Sequence, residues 1–573
     1  MSDSSLLTLP EDEKEAERVF NTLPVKNQLD IVLRARGKER LRCVFLSEHP
    51  EQLIQELPEL EVFLTVKEVG EKDCLDLISL TTPEQFQYLL DLDFWKRDQL
   101  DPEKVLHWME ILLESGEKKV SQFIQTTDIE FIALLLKKFL HVTTMEGEHL
   151  EGMDRIPPFT LDQYYFIHFR GKRTREVFAP FLQILYRVDT RNYQRLMDSL
   201  IVGFESELEE TSYRLRNGRL ADYGFPDFEE ALEIYRFISP DSFARGDSSQ
   251  VVPREEVGKG GPIFYLTFRD EGPFFSSILS RIEDAYEQDR LKQAITALCN
   301  KAIVAEAIDL SNVAGMERVI KKVYHYLNLG LHYLSREDER KSLEILQSLP
   351  IQKLFRYGVS TTLLLRRKAE SILQGGWFSN DQANLVFLDP PHFEIFEGIL
   401  RRKPVLYRNG TYEDFSNLQD LREADDFLEF IKTITNFLDK ELNLSPAYLK
   451  KMDLSGCTPQ DWREMTLSAI FLTSAANQIL KGTFQFEAIG QAHVKDLLGR
   501  VFERDAQGKG AMKMEVKKGL RDWLESIEGE EVKRQHLLAF QDFCLDLFEA
   551  AYGKIPPGEE VDPRFAKGLL IRK

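Results

Sequence analysis

His325 and His332 stand seven residues apart in Val323-Tyr324-His325-Tyr326-Leu327-Asn328-Leu329-Gly330-Leu331-His332-Tyr333. On a helix that spacing puts both imidazoles on one face with Asn328 between them, which is the beginning of a metal site. A zinc centre needs a third and a fourth ligand, and no H-x-x-x-H or H-E-x-x-H supplies them. The pair therefore reads as two half-buried, hydrogen-bonded histidines, and no metal or other cofactor is expected. Asp505-Ala506-Gln507-Gly508-Lys509-Gly510 has the outline of a calcium loop, but Gln507 and Lys509 occupy the third and fifth positions and no glutamate falls at the twelfth. Gly258-Lys259-Gly260-Gly261 lacks the frame of a phosphate loop, and G-x-S-x-G, paired Cys/His motifs and a dinucleotide fingerprint are missing. No catalytic residue is assigned.

Two basic triplets, Arg366-Arg367-Lys368 and Arg401-Arg402-Lys403, stand out from the acidic background. Arg366, Arg367, Arg401 and Arg402 are the candidate partner-binding residues, because guanidinium forks can clamp a phosphate or the acidic face of a protein. The plainer reading is cations at helix ends on solvated faces. Tyr164-Tyr165-Phe166-Ile167-His168-Phe169-Arg170 and the Gly171-Lys172-Arg173 after it interleave aromatics with bases, as single-strand binders do. Against the net charge these aromatics read as core. Glu229, Glu230 and Glu233 have a catalytic alternative, which a solvated helix face beside a buried stripe makes unnecessary.

The chain has 573 residues and a formal charge of -21, with 43% hydrophobic and 29% charged side chains. That length calls for several domains or an extended array, and the composition can bury sizeable cores. The charge opposes nucleic acid and anionic membrane surfaces as main partners. Cys43, Cys74, Cys299, Cys457 and Cys544 are scattered without C-x-x-C, which fits buried thiols in a reducing compartment. Met1-Ser2-Asp3-Ser4-Ser5 shows no signal-peptide pattern, and the apolar runs Ile129–Leu136 and Leu467–Leu480 are too short or too polar to span a bilayer. A cytosolic protein without membrane insertion is expected.

The elements that must position these residues are helices. His49-Pro50-Glu51-Gln52-Leu53, Thr82-Pro83-Glu84-Gln85-Phe86 and Asp101-Pro102-Glu103-Lys104-Val105 share one grammar of turn-former, proline, acid, polar and apolar residue. Proline suits the first helical position, Thr82 and Asp101 can cap free amides, and an acid there meets the helix dipole. Leu53, Ile54 and Leu57, then Phe86, Leu89 and Leu90, then Val105, Met109, Leu112 and Leu113 form apolar stripes. Helices this short are marginal alone and must stack on neighbours. The fold expected is all-α for the most part, with short-helix, superhelical or solenoid-like repeats in the N-terminal part. A helical C-terminal part carries one small hairpin at Asn409-Gly410, between Tyr407 and Tyr412. The boundaries drawn are a flexible acidic tail at 1–24 running into a first helix, a short-helix domain at 25–145, and a helical region at 159–240. A linker at 241–262, clearest at Arg245–Pro262, precedes a helical domain at 263–553, which opens on an extended Ile263–Phe268, and a tail at 554–573. Glu210 and Arg214 are spaced to pair at i, i+4.

Residues 48–95, through His49-Pro50, Leu53, Ile54, Glu56 and Leu57-Pro58-Glu59, resemble the N-terminal superhelical domain of MgtE-type magnesium transporters. The channel of that family has no counterpart here, so transport is not implied. Over nearly its full length the chain resembles a bacterial family of unknown function. Pro83-Glu84-Gln85 through Leu90-Asp91-Leu92-Asp93-Phe94-Trp95, Gly224-Phe225-Pro226 through Tyr235, and Leu388-Asp389-Pro390-Pro391 carry that likeness. It implies an architecture and no activity. The function expected is a protein–protein interaction scaffold or adaptor. The alternative is an enzyme or a small-ligand or metal sensor with a pocket near residues 389–412.

Overall fold

The computed structural model describes residues 9–10, 12–96, 98–144, 158–240, 265, 269–504, 510–526, 531–555 and 568–573. The Arg245–Pro262 segment, Gly258–Gly261 within it, Asp505–Lys509 and all of Ile263–Phe268 except Tyr265 lie outside the described residues. What is described is mostly α-helical, as the apolar spacing predicts. The chain divides into two compact units. The first comprises Met1–Arg236, Arg245–Leu331 and Ser335–Arg356, and the second Phe237–Ala244, His332–Leu334 and Tyr357–Lys573.

The first unit opens with short helices at Glu13–Asn21, Val25–Arg34, Gly37–Phe45, Pro50–Glu56, Glu59–Val69, Leu75–Leu80, Pro83–Asp93, Pro102–Glu114, Glu117–Thr126 and Ile129–Phe139. Residues 13–21, within the acidic segment that the sequence runs into a first helix, form a helix capped by Asp12, with Ala16 and Phe20 one turn apart fully buried. The prolines behave as predicted. Thr82 and Gln85 close a reciprocal capping box behind Pro83, and Asp101 accepts from the amides of Glu103 and Lys104. Gln85 also donates to the carbonyls of Ile54 (2.7 Å) and Leu57 (2.8 Å), tying one short helix to the end of another. Glu59–Val69 is buried from Leu60 to Val66 and packs on both Gly37–Phe45 and Pro83–Asp93. Its apolar girth explains that central place, and Arg40 satisfies its two buried polar residues, Glu61 and Thr65.

Longer helices follow at Lys172–Val188, Thr190–Val202 and Glu205–Asp222, the last packed on Ile129–Phe139. Phe166–Phe169 is a strand paired antiparallel with Leu140–Thr143. Tyr165, Ile167 and Phe169 are buried there, while Tyr164 is exposed. Among the described residues Glu210 and Arg214 form no ion pair, despite their spacing.

The second unit is built on Leu418–Lys440, Leu467–Lys481 and Glu531–Tyr552, with Glu531–Tyr552 packed on each of the other two. The hairpin is present as Leu406–Arg408 against Thr411–Glu413, with Asn409 at φ +50° and Gly410 at φ +83°. Two successive left-handed residues are what a two-residue turn between twisted strands needs. The single expected hairpin is nonetheless one of five small sheets among the described residues. Their strands run two to four residues, too short to leave an alternating pattern in the sequence. The end of the expected tail is also structured. Ile571–Arg572 lies between Cys457–Thr458 and Ile489–Gly490, and Leu569, Leu570 and Ile571 are buried.

Candidate functional site

The irregular stretch from Asp389 to Glu413 in the second unit holds the densest set of sequence-selected residues. Asp389 is buried and accepts from the backbone amide (3.0 Å) and hydroxyl of Ser468, capping the start of Leu467–Lys481. His392 opens His392–Leu400, and its ring centroid lies 4.7, 5.2 and 5.9 Å from those of Phe543, Phe430 and Phe427. Burial pushes this imidazole below its ordinary range against the opposing pull of Asp389 and Glu394. One turn further on, Glu397 accepts from the Tyr412 hydroxyl and from both ends of the Arg401 fork, at 3.2 and 3.1 Å. Arg408 reaches buried Asp420 at 2.8 Å, which anchors the hairpin to the capping box of Leu418–Lys440.

The two basic triplets adjoin: Arg366 Nη1 donates to the carbonyl of Arg402 at 3.4 Å. Arg366 pairs with Glu370 (2.9 Å), Arg367 lies 3.6 Å from the centroid of the Phe237 ring, and Arg401 lies 3.6 Å from that of Tyr412. Arg402 is exposed, and among the described residues its guanidinium makes no ion pair. Three of the four candidate arginines thus hold the fold, and one is uncommitted. Elsewhere, His325 Nε2 lies 3.1 Å from Glu271, and no group of three or more His, Cys, Asp or Glu able to hold a metal occurs among the described residues. No helix among the described residues is long and apolar enough to cross a membrane.

The other buried chemistry belongs to the first unit. Asp93 accepts from Lys67 (2.6 Å) and the Trp108 indole (2.7 Å), with Lys104 at 3.2 Å. Burial pushes its carboxyl up, but the two lysines and the indole outweigh that and hold it below its ordinary value. Asp91 receives a bidentate fork from Arg219, at 2.7 and 2.9 Å, and Arg219 also reaches Asp128 at 2.6 Å. Lys119 donates to the carbonyl of Thr81 (2.6 Å) and to Gln122 (2.9 Å), and burial depresses its ammonium to about 8. All five thiols are free and buried.

Sequence reasoning missed the turn between Thr190–Val202 and Glu205–Asp222. Ile201, Val202 and Phe204 are 40%, 77% and 69% exposed there. The available signal was an apolar pair and a phenylalanine flanking Gly203, followed at once by Glu205-Ser206-Glu207.

No curated protein and no solved structure matches the chain, so the likeness of residues 48–95 to transporter superhelices gains no counterpart there. A model described as a family of unknown function, DUF6178, matches residues 17–572. The short capped helices around Asp91 and Asp93, the Asp389 cap and the strand at Ile571–Arg572 all fall within that match, and the chain belongs to this family.

Proposed function

We propose that this protein is an interaction scaffold that docks a protein partner through apolar side chains left in solvent. The observation that carries the reading is the exposure of Val202 and Phe204 in a molecule that seats even its buried charges on internal partners. Ile201, Val202 and Phe204 are exposed within four residues of one another, and contiguous exposed apolar surface is what interaction sites present. The array of short helices, read as a helical repeat, supplies a scaffold whose turns present such side chains. Buried thiols and the acidic balance suit a cytosolic protein that avoids nucleic acid. Affinity capture of the tagged full chain from native lysate is expected to recover a stoichiometric partner, and repeated recovery of the chain alone overturns the reading. The second reading, a small-ligand site or enzyme near Asp389–Tyr412, is favoured by the uncommitted Arg402 guanidinium. A thermal-shift screen with nucleotides, sugar phosphates and divalent metals tests it: stabilisation by an anion that Arg402→Gln abolishes would support it.

A further inference from the structure

We propose that the turn Ile201-Val202-Gly203-Phe204 is the docking surface of the scaffold, and that its partner is a protein segment with apolar side chains flanked by lysine or arginine. This rests on the scaffold reading and adds the extent of the surface and the chemistry of the partner.

The turn is built around Gly203. Gly203 donates its amide to the Ser199 carbonyl at 2.7 Å, and a Cβ on Gly203 would fall 2.6 Å from that same oxygen. The chain therefore closes here only around a residue without a side chain, and Val202 and Phe204 on either side of it stand in solvent. Two lysines hold the turn. Lys137 donates to the Leu200 carbonyl, one of the carbonyls that the end of Thr190–Val202 leaves without a helical partner. Lys138 reaches Glu205 (3.1 Å) and Glu209 (2.8 Å) in the first turns of the next helix. Backbone so constrained before binding loses little further entropy when a partner arrives.

Charge selects the partner. From Asp198 to Glu210 the chain carries five acids and no lysine or arginine. Lys138 answers Glu205 and Glu209, whereas Glu207 and Glu210 are exposed and make no ion pair among the described residues. A second copy would bring the same acids against one another across a two-fold contact, which like-charge repulsion opposes. An anionic lipid surface or nucleic acid is repelled by the same residues and by a chain of net charge -21. A segment with apolar residues for Val202 and Phe204, and cations for Glu207 and Glu210, satisfies both halves of the surface.

The test uses the full chain and a labelled amphipathic peptide of leucine and lysine, with its leucine–glutamate counterpart as control, read by fluorescence anisotropy. Phe204 precedes Glu205–Asp222 without any side-chain cap, so serine there leaves the helix start at least as well satisfied. The Val202→Ser/Phe204→Ser variant is expected to weaken binding of the lysine peptide by about tenfold or more. The Glu207→Gln/Glu210→Gln variant is expected to weaken it about threefold and to flatten its salt dependence. Unchanged affinity in the serine variant, equal binding of the glutamate peptide, or self-association of the wild type that the serine variant abolishes would each overturn the proposal. A stoichiometric lysate partner retained by both wild type and serine variant would overturn this surface and leave the scaffold reading standing. No lysate partner for the wild type would remove the reading itself.

Discussion

In the first unit Arg40, Glu61, Asp91, Asp93, Lys119 and Arg216 are all buried, and each joins its own helix to another segment. In the second unit the buried acids are Asp389 and Asp420, both at helix N-termini, and the interior, as rich in rings as that of the first unit, holds no comparable buried ion pairs between helices among the described residues. Trp377 meets Phe387 at 5.0 Å, Phe471 meets Phe540 at 5.5 Å, and Phe484 stacks on Trp523 at 4.0 Å between centroids. Element length accounts for the difference. Leu418–Lys440 and Glu531–Tyr552 run 23 and 22 residues, long enough for their apolar faces to fix their own register. The opening helices of the first unit run 6 to 13 residues and bury too few side chains each to specify one arrangement. A buried ion pair costs desolvation, but it fixes which turn faces which.

That contrast predicts its largest effect at Arg40 and Glu61, which are 3% and 1% exposed and 2.7 Å apart. Arg40 also donates to the carbonyls of Val32, Leu33 and Glu61 and to Thr65, so its donors are fully used. Glu61→Gln leaves an uncompensated guanidinium in the core and is expected to cost about 3–5 kcal/mol in urea unfolding at pH 7. Arg40→Met/Glu61→Leu, which removes both charges, should recover only part of it, because it also deprives the carbonyls of Val32, Leu33 and Glu61 of their donor. A loss under about 1 kcal/mol for Glu61→Gln would break the comparison.

The corresponding change in the second unit is Asp389→Ala. It strands the amide of Ser468, leaves the Ser468 hydroxyl with Thr466 Oγ1 (2.9 Å) as its partner, and leaves no opposite charge behind. The expected cost is about 1–3 kcal/mol, with Asp389→Asn nearer the lower end. A cost equal to that of Glu61→Gln would mean that buried carboxylates do the same work in both units.

The pH dependence sharpens the contrast further. Asp93 is held below its ordinary range when folded, so its contribution is present above its unfolded pKa of about 4 and is lost as pH falls through the folded value. Burial pushes the Lys67 ammonium down, but Asp93 and Glu71 outweigh that and hold it above its ordinary range. Its contribution is present below the unfolded pKa of about 10.4 and is lost as pH rises through the folded value. The stability gap between wild type and Asp93→Asn should therefore be widest from about pH 5 to 9 and close at both ends. A gap that does not vary with pH would show that the ionised pair is not the source of the stability.

The parts of this arrangement that the sequence displays are local. Pro50, Pro83 and Pro102, the caps at Thr82 and Asp101, and Asn409-Gly410 act within four residues of themselves, and all are where the pattern puts them. What the sequence hides is long-range. Asp91 and Arg219 are 128 residues apart, and nothing in Leu90-Asp91-Leu92-Asp93 says that one acid will face an arginine and the other two lysines. The two-residue strand at Ile571–Arg572 has no period to detect. Ile201-Val202 is as apolar as any core segment, and only the placement of its neighbours decides that it stays outside. The four candidate arginines were visible as charge, but the partners of Arg366, Arg367 and Arg401 required the fold.

The smallest effect is expected where the second unit relies on a turn. Asn409 holds φ +50° at the first turn position of the hairpin, and its short polar side chain tolerates that region better than any other non-glycine type except aspartate. Asn409→Ala keeps both strands and the Arg408–Asp420 and Tyr412–Glu397 links, but adds about 1 kcal/mol of backbone strain. Those links tie the hairpin to two helices that do not depend on it for their own caps. Faster amide exchange confined to Leu406–Glu413, with an unchanged urea midpoint, is therefore the expected result. A shift of the whole transition would make the hairpin part of the cooperative core, and would place a turn among the elements that hold the second unit together.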